Sequence, residues 1–426
     1  MRRCKWSLVK LLIGIMLGIY LVGCGRYVKQ DTEVVNTRLE QGSSKEEQVD
    51  ETKVEIENTV GQSIQDIEKD KEIVITEEQV SIIMVGDVLL HTPVTESGKG
   101  ENDVYNYAHL FKEVKEDIQE ADLAIVNQEV ILGGKELGLS GYPTFNGPYE
   151  VGDALVEAGF NVVLHATNHT LDKGKKGILN TLNFWETHYP QVGVLGIQDT
   201  QKEQEDAIYV YEKEGIKIAI LNYTYGTNGI PLPDGQPYWV NLLGEDRLKK
   251  DINKAKALAD FVIVCPHWGT EYTHVATKEQ RYWAEFMAHE GVDLILGTHP
   301  HVIEPIEWIE GKNGHKTLVY YSLGNFVNST SESGKGVAAR MLGAMAKITL
   351  ERDEKGQVGI KEYGAQALVT HLQKGRGNIT TYRLQDYTEA LAQINEIRKQ
   401  DEAFSLSYCK EIWQQVFKEI LEKTDF

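Results

Sequence analysis

The side chains of this chain that could carry chemistry fall in short clusters, each directly after an apolar run. Asp87 follows SIIMVG, Asn127 and Glu129 follow DLAIV, Asn168 and His169 follow NVVLHAT, His267 follows FVIVCP, and His299 with His301 follows DLILGT. Imidazoles, carboxylates and a carboxamide with no thiolate among them suit Zn, Mn, Fe or Ni better than Ca or a structural thiolate zinc. In GTHPH, Pro300 biases the residue before it toward an extended backbone, and residues i and i+2 of an extended segment point the same way. Both rings are therefore expected to face one metal pair. Taken singly, each residue has a plainer reading: Asp87 as a turn or helix cap, Asn168 as a turn residue, His169 as an exposed imidazole, Glu129 as a loop acid, His267 packed with Trp268. Their joint placement at successive run ends is what points to a site.

The elements that must position them are legible as texture. The runs SIIMVGD, DLAIVN, FNVVLHATNH, KIAILNY, DFVIVCPHWG, VDLILGTHPH and TLVYYSLGN are short, apolar and β-branched. Between them VYNYAHLFKEVKEDIQEA, VGDALVEAG, KGILNTLNFWETH, EDRLKKDINKAKALA and EQRYWAEFMAHEG repeat apolar residues at helical spacing. Continuous apolar strands separated by helices predict an α/β fold whose sheets are covered by helices. In open sheets of that kind ligands bind beyond the carboxyl ends of the strands, where residues far apart in sequence converge. After residue 345, a hairpin turning at Asp353 to Gly356 and helices over LAQINEIRK and EIWQQVFKEILEK are expected to complete or decorate the core.

Composition narrows the partners. Of 426 residues 41% are hydrophobic, enough for one large core, and the formal charge of −20 without a basic stripe argues against nucleic acid. Arg2, Arg3, Lys5 and Lys10 precede an apolar segment, Leu11 to Gly23, which is short for a membrane span and reads as a secretory signal. It ends in LVGC, which resembles the bacterial lipobox. That resemblance implies cleavage before Cys24, lipid on that cysteine and an extracytoplasmic protein anchored to the bacterial cell membrane. Residues 31–80 hold 15 Asp and Glu against 5 Lys and Arg and no aromatic residue, which predicts a solvated tether. Of the four cysteines, Cys265 and Cys409 remain, too dissimilar in context for a disulfide framework. The expected division is signal 1–23, acidic tether 24–79, α/β domain 80–345 and C-terminal hairpin with helices 346–426.

The pieces VGDVLLH, VNQEV, ATNHTLDKG, CPHWGTEY, GTHPHVIEPIE and YSLGNFV, in that order over roughly residues 81–330, resemble the CapA-type family of bacterial capsule and poly-γ-glutamate synthesis. The domain of that family looks like a calcineurin-type metallophosphatase. The resemblance implies an α/β/β/α sandwich, two mixed sheets flanked by helices, around two divalent metal ions. It places Asp87 and His301 on one ion, Asn168, His267 and His299 on the other, and Glu129 where a bridging aspartate usually sits. His169 matches the histidine beside the leaving group, with Asp172 orienting it, and Asn127 and Asn325 become candidate substrate contacts. The chain departs from the metallophosphatase pattern in lacking an Asp-x-His opening; His91, four residues after Asp87, is the substitute it offers. Thr167 likewise stands where Asn-Asn-His has its first asparagine.

Such a centre implies hydrolysis of a phosphoester, or attack on the amide of a polymer that contains no phosphate. The competing expectation is a noncatalytic accessory that binds the emerging anionic polymer, or a membrane synthase or exporter.

Overall fold

In the computed structural model, residues 78–206, 208–374 and 378–418 are described. The expected signal, Cys24 and the tether as far as residue 77 lie outside the described residues. The chain first lays down half of one sheet: β1 (Gln79–Val88), β2 (Leu123–Asn127), β3 (Val162–Leu164) and β4 (Gly193–Leu195), all parallel. It then builds a second sheet from β5 (Tyr209–Lys213), β6 (Ile216–Thr224), β7 (Phe261–His267), β8 (Leu294–Leu296), β9 (Ile306–Glu310) and β10 (Lys316–Tyr320), in the order β5-β6-β7-β8-β10-β9. Finally β11 (Asn325–Val327), β12 (Leu342–Arg352), β13 (Val358–Leu372) and β14 (Ile379–Arg383) return to the first sheet. There the order is β14-β13-β12-β1-β2-β3-β4, with β11 also pairing β1. Both sheets are mixed.

Helices α1 (Tyr149–Ala158), α2 (Gly174–His188), α3 (Glu245–Leu258) and α4 (Lys278–Glu290) cover them. The layering follows from side-chain alternation along each strand. In β7, Phe261, Ile263 and Cys265 belong to the central core shared with Met84 and Ile125 of the first sheet. Val262 and Val264 point the other way, into a cluster with Leu248 and Ile252 of α3 and Met287 of α4. β6 and β10 divide likewise, Ile218 and Tyr320 inward, Leu221 and Val319 outward. Strands covered on both faces can be apolar at every position, which is why FVIVC reads as a continuous run. Each such side chain removed from water stabilises the fold by about 1.5–3 kcal/mol. On the far side of the first sheet, Val151 and Leu155 of α1 and Phe184 and Trp185 of α2 join the central core. The result is the predicted α/β/β/α sandwich.

The segment 104–121, expected as one helix, is not one. Only Lys115–Glu120 is α-helical, preceded by a 3₁₀ turn at Ala108–Leu110. Tertiary contacts override the spacing: Lys99 bridges Tyr105, the Tyr107 hydroxyl donates to the Thr95 carbonyl at 2.8 Å, and Asn106 N–H donates to Gly98 O at 2.9 Å. These close residues 98–107 into a loop that buries Tyr107 without helical turns.

Two features beyond residue 320 bear on the site. TLVYYSLGN is one apolar run in sequence but two strands in space, for the chain leaves the second sheet after Tyr320 and enters the first at Asn325, level with Asp87. The crossing is tight enough that a Cβ on Gly86 would stand 1.8 Å from the carbonyl oxygen of Gly324. In addition β12 pairs with β1 from Gln79↔Glu351 to Val85↔Met345, so residues past 345 are part of the sheet that carries Asp87. The hairpin between β12 and β13 turns on Asp353, whose Oδ1 accepts from Lys355 N at 2.9 Å and Gln357 N at 2.8 Å.

Candidate metal centre

Strand pairing brings the run ends together. Asp87 near the end of β1 is level with Asn127 at the end of β2 and with Asn325 of β11, while His267 at the end of β7 bridges Thr298 in the loop after β8. Glu129, Asn168 and His169 lie in the loops that leave β2 and β3. Asp87, Asn127, Glu129, Asn168, His169, His267, His299, His301 and Asn325 are all buried.

At the centre is the carboxylate of Glu129. His301 Nε2 lies 3.7 Å from its Oε1, His267 Nε2 3.8 Å and His169 Nε2 4.0 Å. These spacings are too long for hydrogen bonds. Glu129, His299 and His301 offer ligand atoms all within 4.8 Å of one another. Both oxygens of Glu129, Nδ1 of His299 and Oδ1 of Asn127 are buried with no hydrogen-bond partner. Leaving such groups unsatisfied costs about 1–3 kcal/mol each, more for a charged one. A divalent cation resolves that cost, and the donor set of imidazole nitrogen and carboxylate oxygen fits one.

Electrostatics point the same way. Burial, and then the neighbouring imidazoles, push His267 and His299 well below the usual histidine range, so both are neutral with lone pairs available to a metal. Burial also pushes Glu129 far up, and Asp87, Glu271 and Asp172 add to this against the opposing pull of His301. His301 is the exception among the imidazoles. Burial pushes it down, but the carboxylates of Glu129 and Asp87 together outweigh burial and raise it to about 9. Its Nδ1 is 3.2 Å from Asp87 Oδ2.

Supporting hydrogen bonds fix the remaining groups. Asn127 Nδ2 donates to Asp87 Oδ1 at 2.7 Å, and Thr298 Oγ1 lies 3.0 Å from His267 Nδ1. Asn325 Oδ1 lies 3.1 Å from His301 Nδ1, and Asn325 Nδ2 donates to the carbonyls of His301 and Arg340 at 3.1 and 3.0 Å. The Nδ2 of Asn127 and both ends of the Asn325 amide are thus engaged within the site, while Asn127 Oδ1 is left unpartnered. His169 Nδ1 meets Asp172 Oδ2 at 2.7 Å, and that oxygen also accepts from Phe145 N–H at 2.6 Å. The Phe145 ring stands edge-on to His169 with centroids 4.6 Å apart. His91 lies at the margin: its ring packs against Phe145 at 5.2 Å. Burial, then His301, His169 and Arg340, push it down to about 4.

The extended geometry expected for GTHPH is corrected by the backbone. His299 has φ +99° and His301 φ +60°, in the region that β-carbon sterics disfavour, at a cost of order 1–3 kcal/mol each. The two rings still converge, with centroids 5.8 Å apart, through a kinked loop rather than a straight one.

Several residues at the site escaped the sequence reading. Tyr225 and Asn228 follow β6; the Tyr225 ring is 4.7 Å from that of His299, and Asn228 Oδ1 accepts from Asn168 Nδ2 at 3.3 Å. Applying the strand-end rule to KIAILNY would have found them. Tyr272, in the loop after β7, and Arg340, in the 3₁₀ turn Val337–Met341, approach from the His301 side and carry no periodic signal.

Residues 81–330 match the model of a family described as bacterial capsule synthesis protein PGA_cap. A capsule biosynthesis protein CapA of Bacillus anthracis is 30% identical over 259 residues, 59% of this chain and 60% of the relative. A PGA biosynthesis protein CapA of Bacillus subtilis is 33% identical over 183 residues, 41% of this chain and 44% of the relative. The chain therefore spans less than two thirds of either relative. Among solved structures, the NAD nucleotidase of Haemophilus influenzae aligns at 13% identity with a TM-score of 0.43, covering 79% of this chain and 67% of that one. A 5'-nucleotidase precursor from Thermus thermophilus aligns at 13% identity with a TM-score of 0.41, covering 68% and 54%.

Proposed function

The chain belongs to the bacterial capsule synthesis family PGA_cap, and from that premise we propose that it is a metal-dependent hydrolase acting in the assembly of an envelope polymer of the poly-γ-glutamate type. Its substrate is a phosphoester or an amide of the polymer. The observation that carries this reading is Glu129: a buried carboxylate with neither oxygen hydrogen-bonded, surrounded by three imidazole nitrogens at 3.7 to 4.0 Å.

Asp87, Glu129, Asn168, His267, His299 and His301 would hold the divalent ions, proposed to be two and of Mn, Zn, Fe or Ni. When bound, such ions supply Lewis acidity toward a substrate oxygen and make water acidic enough to attack near neutral pH. The rest is done by the chain. His169, whose Nδ1–H is held by Asp172, presents Nε2 to the centre and, in the imidazolium form with both ring nitrogens protonated, delivers the Nε2 proton to the leaving oxygen or nitrogen, returning to the Nδ1–H tautomer. Asp172 orients the ring throughout, and its second bond, from Phe145 N–H, keeps the carboxylate in place. Phe145 and Tyr225 cover the rings of His169 and His299 with apolar surface and limit water. Asn127, Thr298 and Asn325 hold Asp87, His267 and His301.

The noncatalytic alternative has one supporting observation. A chain of net charge −20 binds a polyanion poorly without cations between them, so the metals could serve as carboxylate clamps. Elemental analysis of protein purified without chelator, followed by nitrophenyl phosphate mono- and diesters and the polymer itself, separates the readings. Bound metal with turnover supports the hydrolase, bound metal without turnover supports the clamp, and a metal-free protein indifferent to added ions removes both.

Membrane attachment is proposed from sequence alone, through lipid on Cys24, with the folded part outside the cytoplasm. Among the described residues no helix is long and apolar enough to cross a membrane. Cys24→Ser should release the protein from membranes; firm attachment of that variant would count against lipidation.

A further inference from the structure

Arg340 is a buried cation beside the centre that the proposed chemistry does not use. It is 8% exposed, and its guanidinium carbon lies 3.5 Å from the centroid of the Tyr272 ring. Nη2 donates to Glu332 Oε2 at 2.6 Å and Nη1 to Thr330 Oγ1 at 3.4 Å, while Nε is buried with no partner. Both sides of this arrangement are tied to His301. The Tyr272 N–H donates to the carbonyl of Pro300, between the two loop histidines, at 2.8 Å, and the Tyr272 ring is 5.9 Å from that of His301. The Arg340 carbonyl accepts from Asn325 Nδ2, whose Oδ1 meets His301 Nδ1. The backbone of Arg340 and the Tyr272 that stacks on its guanidinium are thus both linked to the loop that carries His301.

Its anionic partner is of another kind. Glu332 lies in the exposed run 331–336, and its side chain is 59% exposed against 10% for that of Arg340. An ion pair between a fixed, desolvated guanidinium and a solvent-facing carboxylate is weak in net terms and easily exchanged. By displacing the Glu332 carboxylate, an incoming carboxylate can accept from Nη2 and compete with the Thr330 hydroxyl for Nη1, giving the fork geometry that guanidinium favours.

We propose that Arg340 anchors a carboxylate of the ligand next to the reacting group, and that in the free protein Glu332 occupies that place. This rests on the proposed function in putting the reacting group at the metal centre, and it narrows the ligand to one bearing a free carboxylate close to the bond attacked. It also offers a reason for the face-on Tyr272, which is 44% exposed and shields one face of the guanidinium from water.

The test is calorimetric binding of a γ-linked glutamate pentamer to the full chain purified without chelator. Glu332→Gln, on the exposed run, removes the competitor and should tighten binding about two- to fivefold. Arg340→Lys keeps the charge but loses the fork, and should weaken binding about tenfold or more. In the double variant the tightening should disappear. A purely structural role for the pair cannot produce the gain in affinity. Equal affinities across wild type and both variants, no binding to wild type or Glu332→Gln, or Arg340-dependent binding of inorganic phosphate in place of the pentamer would each overturn the assignment. Metal content and ester turnover, measured in parallel, report on the hydrolase reading: Arg340-dependent pentamer binding without turnover keeps this inference and discards that one.

Discussion

His267 Nε2 and Asn168 Oδ1 lie 2.9 Å apart, joining the end of β7 in one sheet to the loop after β3 in the other. Both atoms are of the kind that grip a cation, and they meet each other. The gap between the sheets is therefore already shaped at this point, and a bound ion should act as a clasp across it. Ion binding to the folded state alone stabilises it by about 2.7 kcal/mol at a hundredfold excess over Kd. Chelation should lower the thermal midpoint measured by calorimetry and added Mn or Zn should restore it, with His267→Ala insensitive to both. A midpoint unmoved by chelator in the metal-bearing wild type would remove the clasp.

The pair His169 and Asp172 should behave differently if, as proposed, it serves proton transfer rather than metal binding. A positioned acid contributes about a hundredfold to ten-thousandfold to rate. His169→Ala is expected to lower ester turnover by that order while metal content stays near the wild-type value. Asp172→Asn should fall short of that loss, since the imidazole remains but its tautomer is no longer held. Steady-state kinetics with elemental analysis on the same preparations checks both, and equal metal loss in His169→Ala would reassign it as a ligand.

What could be read from sequence divides along physical lines. Runs such as FVIVC and SIIMV were legible because strands buried on both faces must be apolar at every position, and the polar residue ending each run then marks the sheet edge. Edge strands such as Tyr209–Lys213, with partly exposed side chains, carry no such signature. Helical spacing misled at 104–121, where Tyr107 and its neighbours are buried by loop closure rather than by a helix face. At GTHPH the residue types were informative but the backbone was not, since a positive φ at two histidines is a choice imposed by surrounding contacts. Arg340 and Tyr272 were invisible for a further reason: their meeting depends on the chain crossing between sheets at residues 321–324, and no local pattern encodes that.

Glu304 predicts a pH dependence of stability. It is buried, its Oε2 accepts from Gln280 Nε2 at 2.6 Å, and its Oε1 has no partner. Burial pushes it from 4.5 up to about 8, against Gln280 and Arg281. Below about pH 4.5 both folded and unfolded chains hold the proton. Between there and about pH 8 the folded chain keeps a proton that the unfolded chain releases, so stability falls as pH rises and levels off above that window. Relative to Glu304→Gln, the wild type should lose up to about 4 kcal/mol between pH 5 and pH 8. Urea unfolding of both proteins across that range measures the difference directly. Asp293, pushed up to about 6 mainly by burial, is common to both proteins and cancels. Parallel curves would mean that Glu304 is ionised in the fold.

Gly297 opens the loop that carries His299 and His301, and its hydrogen is a packing requirement rather than a conformational one. Its N–H donates to Tyr320 O at 2.8 Å and its carbonyl accepts from Leu323 N–H at 3.0 Å. A Cβ there would stand 2.1 Å from the Tyr321 carbonyl oxygen and 2.5 Å from Trp268 Nε1, which itself donates to that oxygen at 2.9 Å. Neither neighbour is the free end of a flexible chain, so the loop must move. Gly297→Ala should cost about 1–3 kcal/mol, as overpacking does, and should weaken metal binding because the same shift displaces both imidazoles. Gly359 in β13 has open space where its Cβ would be, so Gly359→Ala should leave metal content unchanged and alter stability little. If urea midpoints and metal content of Gly297→Ala match those of Gly359→Ala, the loop is looser than its contacts require, and the strained backbone at His299 and His301 is not held in place from this side.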